Sequence, residues 1–390
     1  MAALRRNPPF RAEQVGSLLR PEKLLKARAD SKEGKISQQE LLQIENASVK
    51  EVVELQIELG FHSITDGEYR RSSFTSIPDP EVDVYRTYMP NIAAFTDVGQ
   101  RPPESVFCTG KIKHTGSTYT DQWNYLKNIV PSDKARGCKL TLPAPELYHF
   151  RYREGKSYPP GVYKNDSEFF ADIAAAYQAE LQILYDHGLR NAQIDDPNLA
   201  YFCDEKMLTG WAADPANTST SDEMLTSYID LYNACISKRP GDMHVGVHLC
   251  RGNFANSKHF SEGGYERVAK RIFDSLDVDT YYLEYDTPRA GGFEPLRHLP
   301  KNKNVVLGVV TSKFPQLEDL DMLKGRVLEA AEIVAEGNME SREEALGRMG
   351  VSPQCGFASA AEGNALGRDD MVKKLELVRK LAEEVWPGEA

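Results

Sequence analysis

Short apolar, β-branched runs alternate with long amphipathic stretches through most of this chain, the pattern of parallel strands joined by crossover helices. Eight such runs stand out, at residues 10–15, 62–65, 139–142, 191–194, 243–247, 280–283, 304–309 and 350–353. Eight is the number that closes a (β/α)8 TIM barrel, and an α/β fold of that kind is the expectation. The helices between them are marked by period. From Ser167, the residues Phe170, Ile173, Ala174, Tyr177, Leu181 and Leu184 recur at three- and four-residue steps, and Gly188 supplies a left-handed stop. The same logic marks 39–59 with Gly60, 222–237, 264–275, 317–335 with Gly337, and 369–385. Residues 78–116 break the rhythm. Pro78, Pro80, Pro90, Pro102 and Pro103 stand among alternating Val/Tyr segments there, which predicts an inserted hairpin or excursion over one barrel mouth. With no internal repeat and no low-complexity tract, residues 1–390 read as one domain, since α/β barrels routinely exceed the usual domain size.

Charge and composition narrow the partners. A net charge of -11 and the lack of any extended Lys/Arg run argue against nucleic acid, which needs a clustered cationic surface. The first ten residues lack the apolar stretch of a secretory signal, and no later window approaches the roughly 20 apolar residues of a membrane span. A soluble, cytoplasmic protein is expected, with oligomeric state left open, a homo-oligomer included. Six cysteines at 108, 138, 203, 235, 250 and 355 lie far apart, which suits reduced thiols better than a disulfide framework. Two of them are then free to serve a metal.

The candidate ligands are dispersed: His248-Leu249-Cys250, Glu284 in Tyr-Tyr-Leu-Glu-Tyr-Asp, and Cys355 in Ser-Pro-Gln-Cys-Gly. One imidazole, two thiolates and a carboxylate suffice for one Zn2+, and the carboxylate is the ligand most easily surrendered to an incoming substrate. Their spacing matches no finger or ribbon, and a lone buried Cys or a hydrogen-bonded His is the commoner reading of each alone. What favours convergence is position. His248 and Cys250 end or follow the fifth predicted strand, Glu284 follows the sixth and Cys355 the eighth, all at the carboxyl ends where barrel sites are built.

These segments resemble the catalytic half of cobalamin-independent methionine synthase. That family's zinc shell is His-x-Cys, a Glu ending the next strand, and a distant Cys in a Pro-x-Cys-Gly context, which fall here on His248, Cys250, Glu284 and Cys355. Val15-Gly16-Ser17, Asp66-Gly67-Glu68 and Gln193-Ile194-Asp195-Asp196-Pro197 agree in order, and the resemblance runs from about residue 11 to the carboxyl end. It implies a zinc-dependent S-methyltransferase whose Gly16, Ser17, Glu68 and Asp195 hold the amino-acid part of homocysteine. Paired carboxylates suit an ammonium, and a Gly-Ser backbone suits a carboxylate. The turn, cap and surface-pair readings of Ser17, Asp195 and Glu68 stand beside that one.

There are departures. Folate-using members carry a separate amino-terminal half, a Tyr-Asp-Ile-His-Ser segment and a pterin-site Trp. This chain starts at the barrel, reads Val310-Thr311-Ser312-Lys313 where the His segment belongs, and has Tyr148-His149 near the Trp position. The methyl donor is therefore open among a folate, a corrinoid protein and another methylated metabolite. Lys313 is the candidate acid or anchor for an anionic donor, against the plainer reading of a solvated loop lysine. Three rival readings remain: transfer of another alkyl group to a thiol, a non-catalytic thiol- or metal-binding barrel, and a metal-free uroporphyrinogen-decarboxylase-like barrel gripping propionates with Arg11, Arg20, Arg70 and Arg71.

Overall fold

In the computed structural model, the described residues are 7–71, 85–96, 107–253, 257–359 and 363–389. Six parallel strands run in chain order, each paired with the next: β1 Leu140–Pro143, β2 Asn191–Asp196, β3 His244–Leu249, β4 Thr280–Glu284, β5 Asn304–Val310 and β6 Met349–Pro353. Nearly every strand residue is buried, as expected for a parallel sheet covered by helices outside and packed on itself inside.

The remaining two predicted strand segments span the gap between β6 and β1 by an isolated bridge and single hydrogen bonds, and the sheet itself has six strands among the described residues. Ala12 bridges Val351 in parallel, with Glu13 N donating to Val351 O at 2.8 Å and Val351 N to Arg11 O at 2.9 Å. On the other edge, Lys139 N donates to Ile64 O at 2.8 Å. The two segments meet through Gln14 Nε2 on Ser63 O at 2.9 Å, Thr65 Oγ1 on Gly16 O at 2.9 Å, and Leu18 N on Gly67 O at 3.1 Å. They are bridged staves and not full ladders, because side chains and short turns carry part of the pairing. Inside the ring, the fully buried Lys139 and Glu13 pair at 3.1 Å, and the ammonium lies 4.5 Å from the Tyr282 ring centroid, so neither charge is left uncompensated.

The predicted helices appear close to their expected bounds. Gln38–Glu58 opens on a capping box between Ser37 and Glu40, and Asp166–Asp186 opens on Asn165 and is followed by Gly188 at φ 98°. One stop signal was misplaced. Gly337 lies inside the helix Leu320–Asn338, and the left-handed cap is Met339 at φ 51°. The glycine is needed for packing instead: a Cβ there would stand 2.1 Å from Arg297 O. Of the excursion at 78–116, residues 85–96 hold an antiparallel bridge from Tyr85 to Tyr152 and a short helix, Pro90–Thr96, and residues 107–116 run without helix or strand; 78–84 and 97–106 lie outside the described residues. Among the described residues, no helix is long and apolar enough to cross a membrane.

Strand register sets the site. Asp195 pairs with His248, and His248 with Tyr282, so the carboxyl ends of β2, β3 and β4 stand at one level. β5 bulges between Gly308 and Val310, and a Cβ at Gly308 would lie 2.6 Å from Gln354 Cα. That close approach brings the turn carrying Cys355 over the barrel mouth.

Candidate metal centre

His248, Cys250, Glu284 and Cys355 converge at the carboxyl end of the barrel, each offering a ligand atom within 4.8 Å of the other three. His248 Nδ1 faces Tyr282 O at 3.2 Å. Donation there fixes one proton on Nδ1, so Nε2 is the nitrogen that would bind a metal once its own proton has left, the usual arrangement behind a metal-binding imidazole. Nε2 is buried and has no hydrogen-bond partner among the described residues. A buried polar nitrogen left without a partner is costly unless something else uses it.

Cys250 is placed by its own backbone, whose N donates to Asp196 O at 2.8 Å, and its Sγ accepts from Gly252 N at 3.3 Å. Glu284 is the last residue of β4 and is fully buried. Its Oε1 accepts from Arg251 N at 3.2 Å and lies 4.0 Å from His248 Nε2, while Oε2 accepts from Arg289 Nη2 at 2.7 Å. The turn after β6 is tied on both sides of Cys355. Gln354 N donates to Val310 O at 2.8 Å, and Gly356 O accepts from Asn253 Nδ2 at 2.6 Å and Ser312 Oγ at 2.9 Å.

The two sulfurs stand 3.6 Å apart. Tetrahedral zinc with bonds of about 2.0–2.3 Å requires ligand atoms roughly 3.3–3.8 Å from each other, so the thiol pair already has the spacing and the His–Glu pair is open by a few tenths of an ångström. The protonation pattern agrees. The hydrogen bond with Cys250 first, and then His248, hold the Cys355 thiol well below its usual range against burial, whereas sharing with Cys355 and burial push Cys250 up. Burial pulls His248 down, but the nearby Cys355, Asp195 and Glu284 outweigh it and hold the imidazole up at about 9. Protons thus compensate a cluster of donors that one dication would compensate instead, releasing them. The donor set, its spacing and the orphaned Nε2 fit zinc.

The four residues expected to hold an amino acid also come together. Ser17 lies against the turn after Cys355: Phe357 N donates to Ser17 O at 2.8 Å, and a Cβ on Gly356 would stand 1.8 Å from Ser17 Oγ. Glu68, at φ 59°, accepts at Oε1 from Thr141 Oγ1 at 2.8 Å and lies 3.8 Å from Arg71. Gly16 faces it so closely that a Cβ would come within 2.8 Å of Glu68 Oε1. Asp195 Oδ1 accepts from Gln193 Nε2 at 2.6 Å, and burial, then the charge of Glu68, push its carboxyl up to about 7.

Other expectations are corrected. Lys313 is no solvated loop lysine: it is 2% exposed, and Nζ lies on Gly252 O, Asn253 Oδ1 and Lys258 O at 3.1–3.3 Å. Arg11 points away from the mouth, to Glu389, Leu346 O and Met349 O at the amino end of β6. Arg20 is spent on the backbone oxygens of Ala358, Glu68 and Arg71. Of the four arginines read as a propionate grip, Arg11 and Arg20 are thus engaged elsewhere, and Arg70 and Arg71 alone border a hollow. His149, near the expected pterin position, is sealed between Tyr228 OH and Asp166. Cys138, Cys203 and Cys235 are buried away from the cluster, and burial pushes Cys138 up to about 12 and Cys203 to about 11. Sequence reasoning missed Thr141, Gln193, Arg71 as a partner of Glu68, and Arg289. Of these only Arg289 had a local signal, in the run Glu284-Tyr285-Asp286-Thr287-Pro288-Arg289. Two hollows adjoin the site: one of about 640 Å³ beside Arg70, Arg71, Tyr119 and Tyr125, and one of about 470 Å³ beside Lys258, Thr287, Arg289 and Phe314.

Residues 159–384 match the family described as cobalamin-independent synthase, catalytic domain. The chain is 38% identical to the protein of Bacillus subtilis (strain 168) called uncharacterized protein YxjG, over 98% of this chain and 96% of that one. Its structure is similar to that of a putative vitamin-B12 independent methionine synthase from Listeria monocytogenes, with 30% identity, a TM-score of 0.73, and coverage of 98% of this chain and 99% of the other. The fold is shared with a B12-independent methionine synthase from Shewanella sp. W3-18-1 in complex with selenomethionine, at 16% identity, a TM-score of 0.67, and 96% and 97% coverage.

Proposed function

Because this chain belongs to the cobalamin-independent methionine synthase family, we propose that it methylates the sulfur of a small amino thiol, homocysteine or a close analogue, at a zinc ion held by His248, Cys250, Glu284 and Cys355. The observation that carries this reading is the convergence of those four donors, two thiols at 3.6 Å among them, on the buried His248 Nε2, which meets no hydrogen-bond partner at normal geometry among the described residues. Zinc supplies a Lewis acid that holds a substrate sulfur as thiolate at neutral pH, where a free thiol of pKa about 8.5 is mostly protonated.

The chain's own residues do the rest. Cys250 and Cys355 as thiolates, with Glu284, make the donor set electron-rich, so a bound sulfur keeps its nucleophilicity. Asp195 and Glu68 face the same mouth from β2 and from the turn after residues 62–65, two carboxylates suited to a substrate ammonium. Ser17, beside Gly356, lies between that pair and the metal ligands, where its hydroxyl and the Gly16–Ser17 backbone suit the substrate carboxylate. Burial of His248, Glu284, Cys355, Ser17 and Glu68 limits water around the reacting sulfur, while Cys250 and Asp195 are partly exposed at the mouth where a substrate would enter. Holding the thiol in line with a methyl carbon supplies the proximity part of the rate.

The test is metal analysis of the purified chain followed by incubation with thiols and a panel of methyl donors, a methylated folate and a methylated corrinoid protein among them, with S-methyl products followed by mass. About one zinc per chain and a methylated amino thiol support the proposal. Metal-free protein that still turns over removes it.

A further inference from the structure

Glu284 is the one hard ligand in the cluster, and its second oxygen is not free. Oε2 lies 2.7 Å from Arg289 Nη2, and the guanidinium is itself fixed by Asp286 at 3.0 Å and Thr287 Oγ1 at 2.7 Å. Arg289 sits in the one-turn helix Pro288–Ala290, and its carbonyl accepts from Gly263 N at 3.0 Å, so backbone and head group are both held. The Glu284 side chain is 0% exposed and that of Arg289 8%. A buried carboxylate released from a cation without a counter-charge would be strongly disfavoured. Arg289 meets that requirement before any exchange occurs.

We infer that Arg289 is a positioning residue for Glu284: by holding Oε2 it leaves Oε1 on the side of His248 and the two thiols, where it would meet a bound metal, and it would keep the carboxylate compensated if a substrate sulfur took that place. The inference rests on the zinc-thiol reading above and adds to it the residue that makes one ligand exchangeable. Three features separate it from a merely structural ion pair. The contact is to the oxygen opposite the metal-facing one, so it does not compete with coordination. It is shared with Asp286, so the guanidinium stays anchored whether or not Glu284 moves. Arg289, unlike Glu284, also lines the hollow of about 470 Å³ beside Lys258, Thr287 and Phe314, so the guanidinium and not the carboxylate meets that space.

The experiment uses the full chain loaded with cobalt(II), whose sulfur-to-metal charge-transfer absorption reports each added thiolate, and L-homocysteine as the probe. Arg289→Met is expected to retain the metal but to weaken homocysteine binding by about 10- to 100-fold, the range typical for loss of a group hydrogen-bonded to a ligand. In turnover the loss should appear in KM more than in kcat. Arg289→Lys, which keeps the charge but cannot span both carboxylates, should fall between the two, and it decides the matter should the methionine variant fail to fold. In a Glu284→Gln background, Arg289→Met should cost nothing further, because the group it serves is already neutral. Unchanged homocysteine affinity in Arg289→Met, or the same loss in the Glu284→Gln background, overturns the inference. Wild-type protein that takes up no cobalt or zinc overturns the underlying zinc reading, a result distinct from both.

Discussion

Cys250 Sγ and Cys355 Sγ lie 3.6 Å apart although 105 residues separate them in the chain. Nothing in the local sequence around either residue forces this; the ends of β3 and β6 and the bulge in β5 do. Their shared hydrogen bond holds the Cys355 thiol below its usual range and pushes that of Cys250 up. Cys250→Ser and Cys355→Ser are each expected to weaken zinc binding by more than the about 10- to 100-fold that losing a neighbour of a ligand costs. Serine at 108, 138, 203 or 235 should leave metal content unchanged. Competition with a chromophoric chelator measures this, and equal losses at all six positions would sink the assignment.

The pH dependence of stability should carry the mark of Glu146. Burial, then the charge of Asp196, raise its carboxyl well above the ordinary range, while Asn198 Nδ2 donates to Oε1 at 2.9 Å. Asp196, raised by burial as well, accepts from Asn198 N, Leu199 N and Tyr232 OH. The folded state therefore binds protons that the unfolded chain has released above about pH 4.5, so the contribution of these two groups to stability is fullest below that pH and declines as pH rises toward the raised folded values. Glu146→Gln has nearly the same shape as the neutral acid and still accepts from Asn198. Urea midpoints between about pH 5 and pH 9 should fall less steeply in the variant than in the parent. Parallel slopes would show that Glu146 is ionised in the folded protein.

Much of this architecture was legible because parallel strands announce themselves as short apolar runs bounded by turn residues. Residues 191–194, 280–283 and 304–309 each match a strand to within two residues at either end. The four clustered donors were legible because each lies at or just past the end of such a run, where barrel chemistry collects. Periodicity reports only which face of an element is buried, never against what, and there the sequence is silent. The loop around Lys313 looks polar, yet the ammonium is drawn inward by oxygens of the turn after β3. Gly337 looks like a helix stop because a glycine in a close helix contact and one in a left-handed cap are the same letter. Arg289, Thr141 and Gln193 could not be ranked above other polar residues until the strands placed them beside Glu284, Glu68 and Asp195.

For Lys313 the structure points to support of the loop that follows Cys250. Three oxygens, two of them backbone, surround its buried Nζ. Lys313→Met would leave those acceptors buried without a donor, an expected destabilisation of about 1–3 kcal/mol. It should also loosen zinc, since Gly252, whose carbonyl meets Nζ, donates its own N–H to Cys250 Sγ. Thermal melts and chelator competition should shift together. A collapse of kcat with both unchanged would restore the acid role.

Asp195 offers the sharpest separation of substrate binding from metal binding. Its carboxylate stands beside His248 in strand register but is tied to Gln193, and no ligand atom of the cluster belongs to it. Asparagine keeps the shape and an acceptor for Gln193 while removing the charge that an ammonium would meet. Losing one charge-assisted hydrogen bond is worth about 1.5–3 kcal/mol, or roughly 10- to 100-fold in affinity. Asp195→Asn is therefore expected to raise KM for an amino thiol by that factor while zinc content and the affinity for the same thiol without its amino group stay at the parent's values. Calorimetric titration of both thiols into zinc-loaded protein reads the difference directly. Equal weakening toward the two thiols would place Asp195 in support of the metal cluster, and no weakening toward either would mean that the substrate's amine, if it has one, is met elsewhere.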